Sequence, residues 1–180
     1  MDKNFIVIDN FYNNVDDVRE YALEQNFQTE GNYPGIRTLA EPDPQHGYLK
    51  TFFENEVLGK PISYWPKDYN TAYQYTTQDS KTWIHHDDTV WAGVLYLTPN
   101  APVESGTAIY RHKPTGIYEW DRVTDSPSDF NSSDFLGDSH LDQWEQINFV
   151  GNIYNRLILY KGSMYHRSVL PGFGTDKYTG

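Results

Sequence analysis

Two histidines and one aspartate carry the chemistry that this chain can do. In the run Trp83-Ile84-His85-His86-Asp87-Asp88, His85 and Asp87 are two residues apart, so on an extended strand both side chains leave the same face. A further histidine, His166, stands in Tyr165-His166-Arg167-Ser168, inside a second apolar, strand-like stretch. Two imidazoles and a carboxylate converging from two strands form the donor set that holds Fe(II) on one face. The opposite coordination positions stay open for a cosubstrate and O₂, which is the arrangement oxygenase chemistry needs. The chain has no cysteine, so disulfides and thiolate ligands are excluded and any metal must be held by imidazole and carboxylate.

Spacing alone leaves two pairs open, because His86 and Asp88 satisfy the same rule on the opposite face. The plainest reading of His-His-Asp-Asp is a solvated acidic turn, since most charged side chains are simply hydrated. The setting argues against it. The cluster follows Trp83-Ile84 and precedes the apolar stretch 90–97, which puts it at a strand end, and His166 lies between an apolar strand and the turn Val169-Leu170-Pro171-Gly172. His46, His112 and His140 stand in loop-like or polar contexts and read as surface residues.

The elements that must position these residues fall into two parts. Phe5-Ile6-Val7-Ile8-Asp9 reads as a first strand. Asn13 or Asn14 then caps a helix over roughly 15–26, with Asp16 and Asp17 in its first turn and Val15, Val18 and Ala22 as its buried stripe. A second helix is expected over 51–58, stopped by Gly59 and Pro61, and the Gly- and Pro-rich region 31–47 between the two helices is expected to be irregular. From Thr71 the pattern turns to short strands, at 72–75, 82–85, 91–97, 107–111, 147–150, 156–160 and 163–166. A polar insert over 113–142 interrupts them. Its aromatics Tyr118, Trp120, Phe130 and Phe135 suit a lid over a site, while a loop without a role would have much the same composition. Helices first and strands later imply a mainly β fold with N-terminal helices, an antiparallel barrel or jelly roll of the cupin-like, double-stranded β-helix kind. One domain is expected over 1–180, with 1–70 packed on a β core at 71–180.

Composition narrows the partners without choosing a function. A net charge of -11 repels phosphate backbones, which argues against nucleic acid. No apolar run reaches the length of a membrane span and the chain opens into a strand rather than a leader, so the cytoplasm is the default location. Fifteen Tyr, five Trp and nine Phe suit a pleated, half-buried surface, although a carbohydrate-binding face would give the same count. A non-catalytic jelly-roll protein holding sugar or calcium is therefore the rival from another class. Imidazole donors weigh against calcium and for a transition metal. A cupin-type metalloenzyme that does not use 2-oxoglutarate is a third reading.

At these residues the chain resembles the Fe(II)- and 2-oxoglutarate-dependent oxygenases, especially the prolyl-hydroxylase-like branch and its small phage and marine-bacterial relatives. The resemblance rests on His85-His86-Asp87, then Gly93-Val94-Leu95-Tyr96-Leu97-Thr98 and Ser105-Gly106-Thr107, then Arg156-Leu157-Ile158-Leu159-Tyr160 leading to Tyr165-His166-Arg167-Ser168, and it spans roughly 73–177. It implies that His85, Asp87 and His166 are the iron ligands and that Tyr75 and Tyr96 contact 2-oxoglutarate. It further implies hydroxylation of a small molecule or peptide at the expense of 2-oxoglutarate and O₂, with release of succinate and CO₂. Asp87 favours that outcome over halogenation. The family pattern also asks for a basic residue after the distal histidine to anchor the cosubstrate's far carboxylate. Lys177 stands at a plausible spacing, but the sequence stops at Gly180, either because Lys177 serves or because the chain is truncated before the true anchor. Arg167 is too near His166 for that role, and Arg156 is a weaker candidate.

Overall fold

β8 (Leu157–Lys161) reads Leu-Ile-Leu-Tyr-Lys, apolar at four successive positions, and such a run belongs to a strand covered on both faces. It lies at the centre of a three-stranded antiparallel sheet between β1 (Phe5–Ile8) and β5 (Trp91–Leu95). A second antiparallel sheet has β6 (Thr107–His112) at its centre, flanked by β7 (Trp144–Val150) and β9 (His166–Ser168). The third is smaller and comes from the N-terminal part: β2 (Phe27–Gly31), β3 (Tyr33–Thr38) and β4 (Gln74–Tyr75). The chain is thus mainly β. This computed structural model describes residues 4–31, 33–39, 45–66, 69–120, 141–169 and 172–180, with only the backbone at 45–47.

The first two sheets share one core. Ile109 of β6 and Ile158 of β8 are fully buried and cluster with Tyr96, Val150, Tyr160 and Met164. Each such side chain contributes about 1.5–3 kcal/mol by leaving water. The other face of β6 is covered too, where Ala108 and Tyr110 meet Ile84, Trp144 and Tyr165. The outer face of β8, with Leu157 and Leu159, packs against Val57, with Phe11, Phe52 and Phe53 around it.

The helices bring that third cover. α1 (Val15–Glu24) buries Val18 and Ala22, while Val15 of the expected stripe is only partly covered. Asn14 sits at the N-cap, but its side chain makes no capping bond; its amide instead reaches Asp17 at 3.5 Å. α2 (Gln45–Phe52) begins six residues before the expected start and runs into a π-helical turn over Phe53–Leu58, ended by Gly59 at φ +64°. Gly47 lowers helical propensity inside that first turn and hides it from a sequence reading. Helical turns also occur late, as 3₁₀ segments at Val103–Ser105 and Leu141–Gln143.

The region 31–47 corrects the expectation of irregular chain, because β3 runs through it. Gly35 there adopts φ +73°, and an added Cβ would lie 2.0 Å from the Tyr75 carbonyl oxygen. The glycine marks a close crossing of β3 and β4 rather than the absence of a strand. Conversely, 82–85 is extended but forms only isolated bridges, at Trp83 and at His85, the latter to His166. Of the expected lid, 121–140 lies outside the described residues, including Phe130, Phe135 and His140. Its first part is strand-like, with Glu119 bridged to Met164 and the Trp120 N–H donating to the Ser163 carbonyl at 2.8 Å. Among the described residues no helix is long and apolar enough to cross a membrane.

Candidate metal centre

The site begins as a backbone pairing. His85 N–H donates to the His166 carbonyl at 3.0 Å and His166 N–H donates back to the His85 carbonyl at 2.8 Å. Residues that exchange both bonds stand directly opposite one another, so their side chains leave the same face. The two imidazole rings accordingly lie 4.3 Å apart between centroids. Asp87, two residues on, has its own N–H fixed to the Gly162 carbonyl at 2.7 Å. Gly162 allows this approach because an added Cβ would lie 2.4 Å from the Thr89 carbonyl oxygen.

Backbone carbonyls then set the tautomers. His85 Nδ1 lies 3.0 Å from the Trp83 carbonyl oxygen, and His166 Nδ1 lies 2.8 Å from that of Met164. A carbonyl only accepts, so each Nδ1 carries the proton and each Nε2 keeps a free lone pair. Both Nε2 atoms face the Asp87 carboxylate, at 3.9 Å from Oδ1 for His85 and 3.6 Å from Oδ2 for His166. One donor atom from each of the three residues lies within 4.8 Å of the others, close enough to share a metal. A fixed Nδ1–H···O=C bond behind a ligating Nε2 is also how protein metal sites orient their histidines.

Exposure rises across the triad from 5% at the His166 side chain through 24% at His85 to 39% at Asp87, so the site opens on its carboxylate side. Burial pushes the His166 imidazole well below its ordinary pKa; neighbouring His85 adds to the shift and Asp87 opposes it. The histidine is held neutral, as a metal ligand must be. The ring of Tyr160 lies 4.6 Å from that of His166, and burial raises the pKa of its phenol strongly, with Asp87 adding to the shift and Arg37 opposing it.

The remaining expected residues divide. His86 turns to the opposite face and stacks on Trp120 at 4.4 Å and 10°, which selects His85 and Asp87 over His86 and Asp88 as the converging pair. Tyr96 is buried in the shared core with its hydroxyl 2.8 Å from Thr107 Oγ1, and burial raises its pKa to about 12. Tyr75 packs edge-on against Phe27 at 5.1 Å. Lys177 is drawn away to the end of α1, where Nζ donates to the Leu23 carbonyl at 2.6 Å. Arg156 is committed to Asp9, and Arg167 is buried with Nε on Thr82 Oγ1. His112, read as a surface residue, is buried beside Trp144 at 4.9 Å with Nδ1 on Thr115.

Two residues of the site escape a reading of the sequence. Tyr160 had a signal in strand alternation, because Ile158 and Tyr160 share the inner face of β8. Gly162 had none, since it acts through a contact distant in sequence. By comparison with known proteins, the chain belongs to a family described only as a family of unknown function (DUF6445), whose model matches residues 1–175. No curated protein and no solved structure matches it.

Proposed function

We propose that this member of the family is an Fe(II)- and 2-oxoglutarate-dependent dioxygenase that hydroxylates a small molecule or a peptide side chain. The observation that carries the reading is the pair of committed Nδ1–H groups, which leave both Nε2 lone pairs aimed at the place where Asp87 presents its carboxylate. Two imidazoles and one carboxylate on one face suit Fe(II) with open positions opposite. We infer further that the two sheets around Ile109 and Ile158 form a double-stranded β-helix with the triad at its mouth.

When bound, iron would supply the redox chemistry that couples 2-oxoglutarate decarboxylation to substrate hydroxylation. The protein's own part is positional. The Trp83 and Met164 carbonyls hold the imidazoles in the ligating tautomer, and the backbone bond to Gly162 holds Asp87. Tyr160 walls the buried side against water, while the exposed side at Asp87 admits ligands.

Anaerobic titration with Fe(II), followed by succinate formation from 2-oxoglutarate in air, tests the reading. One equivalent of metal should bind, and succinate should form only with Fe(II) present. His85→Ala and Asp87→Ala should abolish both. Failure to bind Fe(II) overturns the metal centre, whereas tight binding without 2-oxoglutarate consumption overturns the cosubstrate.

A further inference from the structure

We propose that a groove beside the start of α1 is a binding site for a neutral pyranose sugar, separate from the metal centre. A cavity of about 340 Å³ opens there, lined by Phe11, Tyr12, Asn13, Asn14, Tyr48 and Phe52. That volume stands at the lower end of the range for ligand pockets, about 300–1,000 Å³, and suits a mono- or disaccharide better than a long chain.

Three parts of the chain build the groove. The loop before α1 supplies residues 11–14. α2 supplies Tyr48 and Phe52, which stand four residues apart and so share one face of the helix. The third part is a support from beneath. Buried Asn155 accepts from the Tyr12 N–H at 2.8 Å, and its amide donates to the Tyr12 carbonyl at 2.7 Å. Its own carbonyl accepts from the Phe11 N–H at 3.0 Å. A ligand therefore meets a wall already in place, and little is left to be ordered on binding.

The lining chooses the ligand class. Phe11 and Phe52 meet edge-on at 5.4 Å and 80°, while Tyr48 lies roughly parallel to Phe52 and is 64% exposed, a broad aromatic surface at the rim. The Asn13 amide has no hydrogen-bond partner among the described residues, and that of Asn14 makes only its 3.5 Å contact with Asp17. No charged side chain of either sign lines the cavity, which argues against phosphates, carboxylates and metal ions. A wholly apolar ligand would cover the two amides without pairing them, which is costly. A pyranose meets both demands. Its C–H face lies on an aromatic ring, and its hydroxyls, each a donor and an acceptor, pair with amides that offer both.

The groove also stands apart from the triad. Phe11 and Phe52 pack on the outer face of β8 with Leu157 and Leu159, whereas Tyr160, beside His166, lies on its inner face. Sugar binding is thus independent of the metal and of the oxygenase reading.

Saturation-transfer NMR tests the site on metal-free protein, with millimolar methyl glycosides of glucose, galactose, mannose and N-acetylglucosamine, and with maltose, cellobiose and lactose. At least one of these sugars should bind, equally well in EDTA and with Fe(II) added anaerobically. Backbone amide shifts on binding should map to residues 11–14 and 48–52. Tyr48→Ala should weaken binding about 4- to 15-fold, as losing contact with one or two CH₂-sized groups would. Asn13→Ala should weaken it about 2- to 10-fold, the worth of one hydrogen bond. Tyr48→Trp keeps a flat ring and should retain binding. Both positions are exposed, so an unchanged Tm certifies the fold of each variant. The proposal is overturned if none of these sugars binds, if the shifts map elsewhere, or if Tyr48→Ala binds as wild type does. It is overturned equally if tetramethylammonium, which aromatic faces attract, binds the groove more tightly than any of the sugars.

Discussion

His85 comes to rest with its ring 4.3 Å from that of His166, whereas His86, one residue on, lies flat against Trp120 at 4.4 Å and meets Tyr165 edge-on. The side chains are chemically identical, and strand alternation alone sends them to opposite faces. What they become depends on the atoms behind them. His85 has a carbonyl to hold Nδ1–H and a carboxylate opposite Nε2, while the buried Nδ1 atom of His86 has no hydrogen-bond partner among the described residues. The inner face makes a polar convergence and the outer face an aromatic stack, and the comparison teaches that a His-His pair can hold one candidate ligand and one packing residue.

The largest effect should fall on the inner face. Losing a partner behind a metal ligand typically costs 10–100-fold in affinity, so removing a ligand itself should cost more than about 100-fold. His85→Ala, Asp87→Ala or His166→Ala should each reach that loss in a Co(II) or Fe(II) titration. His86→Phe should leave metal affinity unchanged. A loss from His86→Phe as deep as that from His85→Ala would break the comparison and point to the other register.

Next in size is Gly162→Ala, which touches no ligand. Its Cβ would press on the Thr89 carbonyl and push away the turn that carries Asp87, whose N–H depends on the Gly162 carbonyl. We expect a loss of about tenfold in metal affinity, in the range of other supporting groups. Unchanged affinity would show that the turn yields and that the glycine is not needed to place Asp87.

The unequal legibility of these faces has a physical basis. His85 and Asp87 were readable because a two-residue period survives even where 83–87 forms only isolated bridges, and His166 was readable because an apolar strand leads into it. β5, β6 and β8 showed as apolar runs for the same reason. The β2-β3 hairpin was hidden because Pro34 and Gly35, ordinarily strand breakers, here mark a close crossing. Lys177 was chosen on spacing, and spacing does not reveal that the Leu23 carbonyl captures its ammonium.

A pH effect should follow on both faces in the metal-free protein. Burial lowers the pKa of His166 and of His86 below the ordinary 6.5, so the unfolded chain binds protons that the fold refuses. Their contribution is present above pH 6.5 and is lost as the pH falls below it. For a chain of this size, Tm should drop by about 2–4 °C for each kcal/mol lost. Saturating metal should flatten the His166 part of that fall, because metal occupies the lone pair a proton would take. A metal-free Tm that stays level from pH 7 to pH 5 would contradict two histidines held neutral by desolvation.

The smallest effect should come from the stack itself. His86→Phe keeps a flat ring against Trp120 and removes a buried nitrogen that lacks a partner among the described residues. Replacing such a group by an apolar one of similar shape is close to neutral or stabilising, so the change should stay within about 1 kcal/mol of wild type in urea unfolding. His86→Ala loses the stack and should cost about 0.5–1.5 kcal/mol beyond the area it uncovers. The order Phe at or above His, and His above Ala, is what aromatic packing requires. If His86→Phe were instead less stable than His86→Ala, the imidazole nitrogens would be doing something that a flat ring cannot, and His86 would belong with the polar face after all.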